Sequence, residues 1–360
     1  MRRATVLRPL LLGALLAAVA PACHGGEGAP PPLPGHARAS LLAVGDTGTP
    51  PQFASRLLST QIAVARGMEA EDRRAPVDAF VLLGDNFYYK GLEESELVAR
   101  VQENVVRPYC RFLSLTAPRS NEVADACETP VRERRPIPFH VVLGNHDYES
   151  AESPALQAQA VPRFVANWRL AVRPVEVVGV ARGVDLVLFD SESLVEGADP
   201  LPLRTALAAT RGPWRILAAH HPIASGEGDE EGLPGQEKAY RDALKKVLAD
   251  VAVPVQLFLS GHVHSLEVLE EASPAPALNV IVGAGSRPRP IRGESPHRLF
   301  ALARPGFARI DLVTVRGEER LVASLYVTPS LALLAWRPPT LVARFSVDLA
   351  GRVRDELASP

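Results

Sequence analysis

The run Ala79-Phe80-Val81-Leu82-Leu83 leads directly into Gly84-Asp85-Asn86-Phe87-Tyr88, so five apolar residues end on a glycine, a carboxylate, an amide and a phenol. A short apolar run closed by a turn residue reads as a buried strand. The same order recurs at Leu41 to Asp46 (LLAVGD), Val141 to Asp147 (VVLGNHD), Leu217 to Pro222 (LAAHHP) and Leu259 to His264 (LSGHVH). One Asp or His just past a strand is ordinarily a hydrogen-bonded polar residue, but packing does not account for five such clusters in one chain. Together they read as a site for two metal ions.

The whole chain from Ser40 onward repeats this grammar. Apolar, β-branched runs lie at Leu41 to Val44, Ala79 to Leu83, Phe139 to Leu143, Val184 to Phe189, Ile216 to Ala219, Val255 to Leu259 and Leu278 to Val282. Helical spacing appears between some of them: Phe53, Leu57, Leu58 and Ile62 share a face, as do Tyr240, Leu244, Val247 and Leu248. The alternation predicts an α/β architecture. After Gly285 the runs Phe307 to Val315, Leu321 to Val327 and Leu341 to Leu349 are longer and alternate more, which predicts antiparallel strands. They are expected to form the far part of a second sheet packed on the first, within one domain, because no composition break marks a linker.

Open α/β sheets gather the loops past the carboxyl ends of their strands into a crevice, so the five clusters should converge. Asp and Asn oxygens with His nitrogens form a hard-to-borderline donor set suited to iron, manganese or zinc. A carboxylate able to bridge would hold two ions about 3.5 to 4 Å apart. Asp85, flanked by Gly84 and ligand-capable neighbours, is the best candidate for it.

Composition sets the outer limits. The 360 residues fit one large α/β domain or two smaller ones, and 47% hydrophobic with 22% charged residues supplies ample core. A formal charge of -2 excludes nucleic-acid binding by bulk electrostatics. The 33 prolines exceed the ~5% of ordinary usage and fall mostly between apolar runs, where a fixed φ suits loops.

Arg2, Arg3 and Arg8, the apolar stretch Pro9 to Ala20 and the small-residue sequence ending at Cys23 follow the order of a secretory signal, too short for an ordinary membrane span. Residues 1–23 therefore predict export, to the periplasm, to a membrane-anchored lipoprotein or to the medium. Cys23 falls where a bacterial lipoprotein signal places its acylated cysteine, although Ala20 stands where a larger apolar residue is usual, so lipidated and free forms both remain open. Residues 24–38, rich in Gly and Pro, read as a tether to a domain spanning 39–355. Cys110 and Cys127 are the only cysteines of that domain; either they close a disulfide loop, worth roughly 3 kcal/mol in an oxidising compartment, or they are buried thiols.

The motifs resemble those of the calcineurin-like metallophosphoesterases, and within them the purple acid phosphatases of tartrate-resistant type. The superfamily's first motif is Asp-x-His, whereas here Asp46 is followed by Thr47 and Gly48. In the purple acid phosphatases that loss accompanies a tyrosine three residues after the bridging aspartate, the place of Tyr88 after Asp85. The resemblance implies an αββα sandwich of two packed mixed sheets flanked by helices. It further implies that Asp46, Tyr88 and His264 hold one metal, that Asn145, His220 and His262 hold the other, and that Asp85 bridges both. His146 would face the substrate phosphate, with Asp147 orienting it, and VGAGS at Val282 to Ser286 resembles the strand and turn after the family's last motif.

A phenolate ligand favours Fe(III), so the resemblance implies an iron-tyrosinate centre with a divalent partner, iron, zinc or manganese. Two such ions make hydroxide available at neutral or acid pH and clamp the phosphoryl oxygens of small phosphate monoesters. A diesterase acting on nucleotides or lipid head groups would use the same ligands, and a non-catalytic binding lipoprotein is the reading from another class. One departure concerns proton transfer: after His220 and His221 the stretch Pro222 to Asp229 lacks the further histidine of the mammalian-type enzymes, which leaves His146 to protonate the leaving group. Glu227, Asp229, Glu230 and Glu231 read as a solvated loop or as an acidic rim at the mouth of the site, and the basic run Arg287, Arg289 and Arg292 as an exposed loop or as a contact to phosphate oxygens. His221 is left out of the ligand set, since adjacent strand residues point to opposite sides. His24, His36, His140 and His297 lack partner spacing and read as surface or structural.

Overall fold

The computed structural model describes residues 33, 35–49, 56–171, 175–224, 235–291, 293–315 and 317–358. The signal and Cys23, most of the tether, Phe53, His24, the acidic run from Glu227 to Glu231 and Arg292 lie outside the described residues. From Leu33 onward the chain clusters into one compact unit. Among the described residues no helix is long and apolar enough to cross a membrane.

Two mixed sheets face each other. The eight-stranded sheet runs Val353–Asp355 (β15), Thr340–Val347 (β14), Glu318–Val327 (β13), Gly306–Val315 (β12), His36–Val44 (β1), Ala79–Leu83 (β2), Phe139–Val142 (β3), Trp168–Leu170 (β4). The seven-stranded sheet runs Arg298–Leu302 (β11), Leu266–Glu270 (β9), Leu278–Val282 (β10), Leu257–Ser260 (β8), Trp214–Ala218 (β7), Val184–Phe189 (β6), Val175–Ala181 (β5). β1 to β4 are mutually parallel, as are β6, β7, β8 and β10, which aims their carboxyl ends at one rim.

Every residue of β2 is buried, and the period of two explains how one strand feeds two cores. Ala79, Val81 and Leu83 enter the core between the sheets, while Phe80 and Leu82 enter the outer core beneath Thr60–Arg74 (α1) and the helical segment 94–112. Phe80 stacks on Phe139 at 4.5 Å between ring centroids. On the other side Leu201–Ala209 (α2) and Gly235–Val251 (α3) cover the seven-stranded sheet, with Tyr240, Leu244, Val247 and Leu248 facing inward as their spacing predicts.

Two expectations need correction. The antiparallel strands β12 to β14 extend the first sheet, not the second: β12 pairs with β1 from His36↔Thr314 to Ala43↔Ala308 and satisfies the edge that β2 leaves open. The helix expected from Phe53 starts at Thr60, because Ser59 is extended and its hydroxyl caps the Ile62 N–H at 3.3 Å. Leu57 and Leu58 stay outside the helix and exposed. Cys110 and Cys127 form a disulfide with Cα atoms 5.4 Å apart, tying the segment 110–127 into one loop.

Candidate metal centre

Each of the five clusters sits just past a strand. β1 delivers Asp46, β2 delivers Asp85 and Tyr88, β3 leads into the turn Asn145–Tyr148, β7 delivers His220, and β8 delivers His262 and His264. Backbone hydrogen bonds stitch the strand ends together: Asp46 N donates to Gly84 O (3.0 Å), Tyr88 N to Gly48 O (2.9 Å), Gly261 N to His220 O (2.9 Å) and Gly45 N to Val282 O (2.9 Å). The last of these brings the VGAGS stretch to the site, where the Ser286 hydroxyl donates to Asp46 O at 2.6 Å.

The backbone is bent to aim these side chains. Among the described residues the non-glycine positions with positive φ are Asp46 (59°), Asp85 (53°), His262 (71°), His264 (45°) and Ala252 (52°). A left-handed conformation is costly for residues with a Cβ and is held only where surrounding structure over-determines it, so its concentration on four candidate ligands marks a functional site. Gly84 at φ 86° cannot be replaced cheaply, since a Cβ there would come within 2.7 Å of His220 Nδ1.

Two groups of donor atoms result. In the first, the Tyr88 hydroxyl donates to Asp46 Oδ1 at 2.9 Å and lies 3.0 Å from His264 Nε2, which is 3.4 Å from Asp46 Oδ1. In the second, His220 Nε2 lies 3.1 Å from Asn145 Oδ1 and 3.2 Å from His262 Nδ1, itself 3.3 Å from Asn145 Oδ1. Asp85 stands between them, with Oδ1 3.5 Å from His220 Nε2 on one side and Tyr88 on the other. All seven predicted ligands are thus brought together.

The imidazoles are oriented from behind. His220 Nδ1 donates to Leu83 O (2.9 Å) and His264 Nδ1 to Arg287 O (2.7 Å), which turns both Nε2 lone pairs into the site. His262 presents Nδ1 because its Nε2 faces Glu237 Oε1 at 3.4 Å. Pinning the second ring nitrogen is how proteins orient metal-binding histidines.

Electrostatics point the same way. Burial, with Asp85 alongside, pushes the Asp46 carboxyl well above its usual range. Burial opposes ionisation of Asp85 too, but His220 and His146 outweigh it and hold that carboxyl low. Burial and the two carboxylates push the Tyr88 phenol up, and burial takes His220 and His264 down to about 4, so both imidazoles keep free lone pairs at neutral pH. Buried carboxylates of like sign and converging lone pairs fit a pair of cations rather than a packed core.

Asp147 sits where the sequence reading does not put it. Its fully buried carboxylate accepts N–H groups from Gly144 (3.0 Å), Asn86 (3.0 Å) and Phe87 (3.1 Å) and the amide of Gln157 (2.9 Å), none of them the His146 ring. Its lone pairs are consumed in clamping the Asp85 loop to the Asn145 loop. His146 instead donates Nδ1 to Tyr89 O at 2.7 Å, stacks edge-on against Tyr88, and gives its backbone N–H to Asp85 Oδ1 at 3.0 Å.

His221, excluded on strand alternation, lies closer than expected, its ring centroid 4.5 Å from that of His262 and one ring nitrogen within 4.8 Å of those of His220 and His262. The chain has already left β7, so strict alternation no longer applies. Its ring is occupied elsewhere, with Nδ1 3.0 Å from Ser191 Oγ and Nε2 3.4 Å from Glu192. Arg287 and Arg289 are exposed as expected, yet their loop carries the carbonyl that fixes His264, and the Arg287 guanidinium lies 5.1 Å over the Tyr89 ring. Sequence reasoning missed Glu237, Ser191 and Arg100. Arg100 reaches from the segment 94–112 to donate to Tyr88 O (2.7 Å) and Gly48 O (3.1 Å), a long-range role with no local signal.

Facing mixed sheets with a carboxylate, imidazole and phenol cluster at their strand ends define an αββα metal-dependent hydrolase. Residues 39–266 match the family model of calcineurin-like phosphoesterases, and the chain belongs to that family of metal-dependent phosphoester hydrolases, whose members use binuclear metal centres. Similar solved structures include GAP50, the anchor in the inner membrane complex of Plasmodium, at 18% identity over 81% of this chain and 85% of that one (TM-score 0.56). Purple acid phosphatase PPD1 from yellow lupin seeds is 14% identical over 88% of this chain and 55% of its own length (TM-score 0.57). PhoD is 12% identical over 91% of this chain and 74% of that one (TM-score 0.57). No curated protein matches the chain in sequence.

Proposed function

We propose that the protein is an exported phosphatase that hydrolyses phosphate monoesters at a binuclear Fe(III)-M(II) centre, M being iron, zinc or manganese. The observation that carries this reading is the Tyr88 hydroxyl, wedged 2.9 Å from Asp46 Oδ1 and 3.0 Å from His264 Nε2 where a superfamily histidine is absent. Asp46, Tyr88 and His264 would hold the ferric ion, Asn145, His220 and His262 the divalent one, and Asp85 both. When bound, such a pair supplies Lewis acidity that makes hydroxide available and neutralises charge on the phosphoryl oxygens.

The chain's own groups do the rest. With Nδ1 tied to Tyr89 O, the His146 ring has Nε2 left to meet the ester and to protonate the departing alkoxide. Asp147 holds both ligand loops in register. Export rests on residues 1–23, with Cys23 as an anchoring point, and mass spectrometry of the mature N-terminus tests that part; the domain read as 39–355 begins earlier, at His36, where β1 already pairs with Thr314.

The test is metal analysis with a visible spectrum and hydrolysis of an aryl phosphate by purified, metal-loaded protein. The expected result is iron, a broad visible band that Tyr88→Phe removes while the circular dichroism is unchanged, and turnover of the monoester. A colourless, zinc-only protein with full activity would overturn the iron assignment, and turnover of diesters alone would shift the reading to a phosphodiesterase.

A further inference from the structure

The loop that follows β10 is fastened to the metal centre at three points. The Ser286 hydroxyl donates to Asp46 O at 2.6 Å, His264 Nδ1 donates to Arg287 O at 2.7 Å, and Arg289 N donates to His264 O at 2.9 Å. A loop held this way presents its side chains at fixed places relative to the candidate ligands. Arg287 and Arg289 are both exposed, and among the described residues neither guanidinium has a carboxylate or carbonyl partner.

The Arg287 guanidinium lies 5.1 Å from the centroid of the Tyr89 ring, which is half exposed and stands 5.8 Å from the Tyr88 ring. The carbonyl of the same Tyr89 accepts Nδ1 of His146 at 2.7 Å, and the His146 ring packs edge-on against Tyr88 at 4.7 Å. Tyr89 is thus an exposed ring beside both the candidate ligand and the candidate acid, and Arg287 lies on it. A guanidinium stacked on an aromatic ring keeps its N–H groups in one plane with the outer edge free, the arrangement that grips a carboxylate or phosphate by two hydrogen bonds. One ring separates it from Tyr88, so it stands where a substituent on the alcohol half of an ester would lie, outside the place of the reacting phosphoryl group.

We infer that Arg287, steadied by Tyr89, is a second anion site of the substrate pocket, and that the preferred monoesters carry a further anionic group on their alcohol half. This rests on the phosphatase reading for the position of the reacting phosphate.

Aryl phosphonates, which cannot be hydrolysed, separate the two ideas. The metal-loaded protein is titrated with phenylphosphonates bearing a carboxylate, or the uncharged carboxamide of the same shape, at the meta or para position. At low ionic strength the better carboxylate isomer is expected to bind about fivefold tighter than its carboxamide, the size of one exposed ion pair, and the ratio should shrink as salt is added. Arg287→Gln should bring the ratio to one, Arg287→Lys, which keeps the charge without the fork, should retain part of it, and Tyr89→Leu should reduce it. Metal content of each variant is expected to match the parent, since Arg287 and Tyr89 hold the two histidines through backbone carbonyls. Equal affinity for carboxylate and carboxamide at both positions in the parent, or a ratio that survives Arg287→Gln, overturns the anion site; hydrolysis of the corresponding aryl phosphates leaves the phosphatase reading standing in that case. A carboxylate preference that Arg287→Gln removes, in metal-loaded protein that hydrolyses none of these esters, supports the anion site and overturns the catalytic reading.

Discussion

At the scale of single residues, the centre separates groups that face the donor clusters from groups that hold them. Asp85 lies within reach of both clusters, whereas Glu237 touches only the far nitrogen of His262. Loss of an outer partner typically costs roughly 10–100-fold in metal affinity. Glu237→Gln is therefore expected to fall in that range, and Asp85→Asn to lose metal and turnover together, by more than that range, as measured by metal analysis after dialysis against a chelator. A larger loss in Glu237→Gln than in Asp85→Asn would reverse the assignment. The ligand residues were legible because Gly-Asp, Gly-Asn-His and Gly-His-x-His each keep their donors within a few positions. Glu237 and Arg100 were not, because nothing local ties them to the ligands they support.

At the scale of elements, the strands that the sequence hides are instructive. β4, β5, β11 and β15 are the four sheet edges, and each is partly exposed. An edge strand gains burial from one neighbour only, and the signal is weak in different ways: β4 and β15 are three residues long with an arginine at the centre, β5 is broken by Glu176 and Gly179, and β11 carries the apolar run Leu299–Leu302 that the sequence reading passes over. β9, the fifth hidden strand, begins two residues after His264 and is masked by the motif before it. The late start of α1 has a different cause: Leu57 and Leu58 continue the helical spacing, but Ser59 competes for the backbone as a cap. Ser59→Ala should cost about 1 kcal/mol in urea unfolding, and no cost would mean that the cap is idle.

At the scale of the whole molecule, one buried group links the fold to pH. His140 shares the inter-sheet face of β3 with Val142, is almost fully buried, and has neither ring nitrogen hydrogen-bonded among the described residues. Burial, with Arg169 nearby, takes its pKa down from 6.5 to about 4. The unfolded chain therefore binds a proton that the folded one refuses: stability is full above about pH 6.5 and falls as pH drops toward 4, by on the order of 3 kcal/mol at the lower limit. In His140→Leu this loss should vanish, so that urea midpoints of the variant gain on the parent between pH 7 and pH 4.5. Parallel pH profiles would show that His140 finds a proton acceptor on charging.

The donor set of the candidate centre and the presence of an α/β fold were legible in the sequence alone, because strand ends and donor side chains are local features: Leu83-Gly84-Asp85 is a strand, a turn and a candidate ligand in consecutive residues. Only the tertiary structure decided that β12 to β14 join the sheet of β1, that Asp147 clamps loops instead of orienting His146, and that the Arg287 guanidinium lies over the Tyr89 ring. Each of these depends on which groups meet across tens or hundreds of residues, and that is settled by competition for open strand edges, unsatisfied N–H groups and apolar surface.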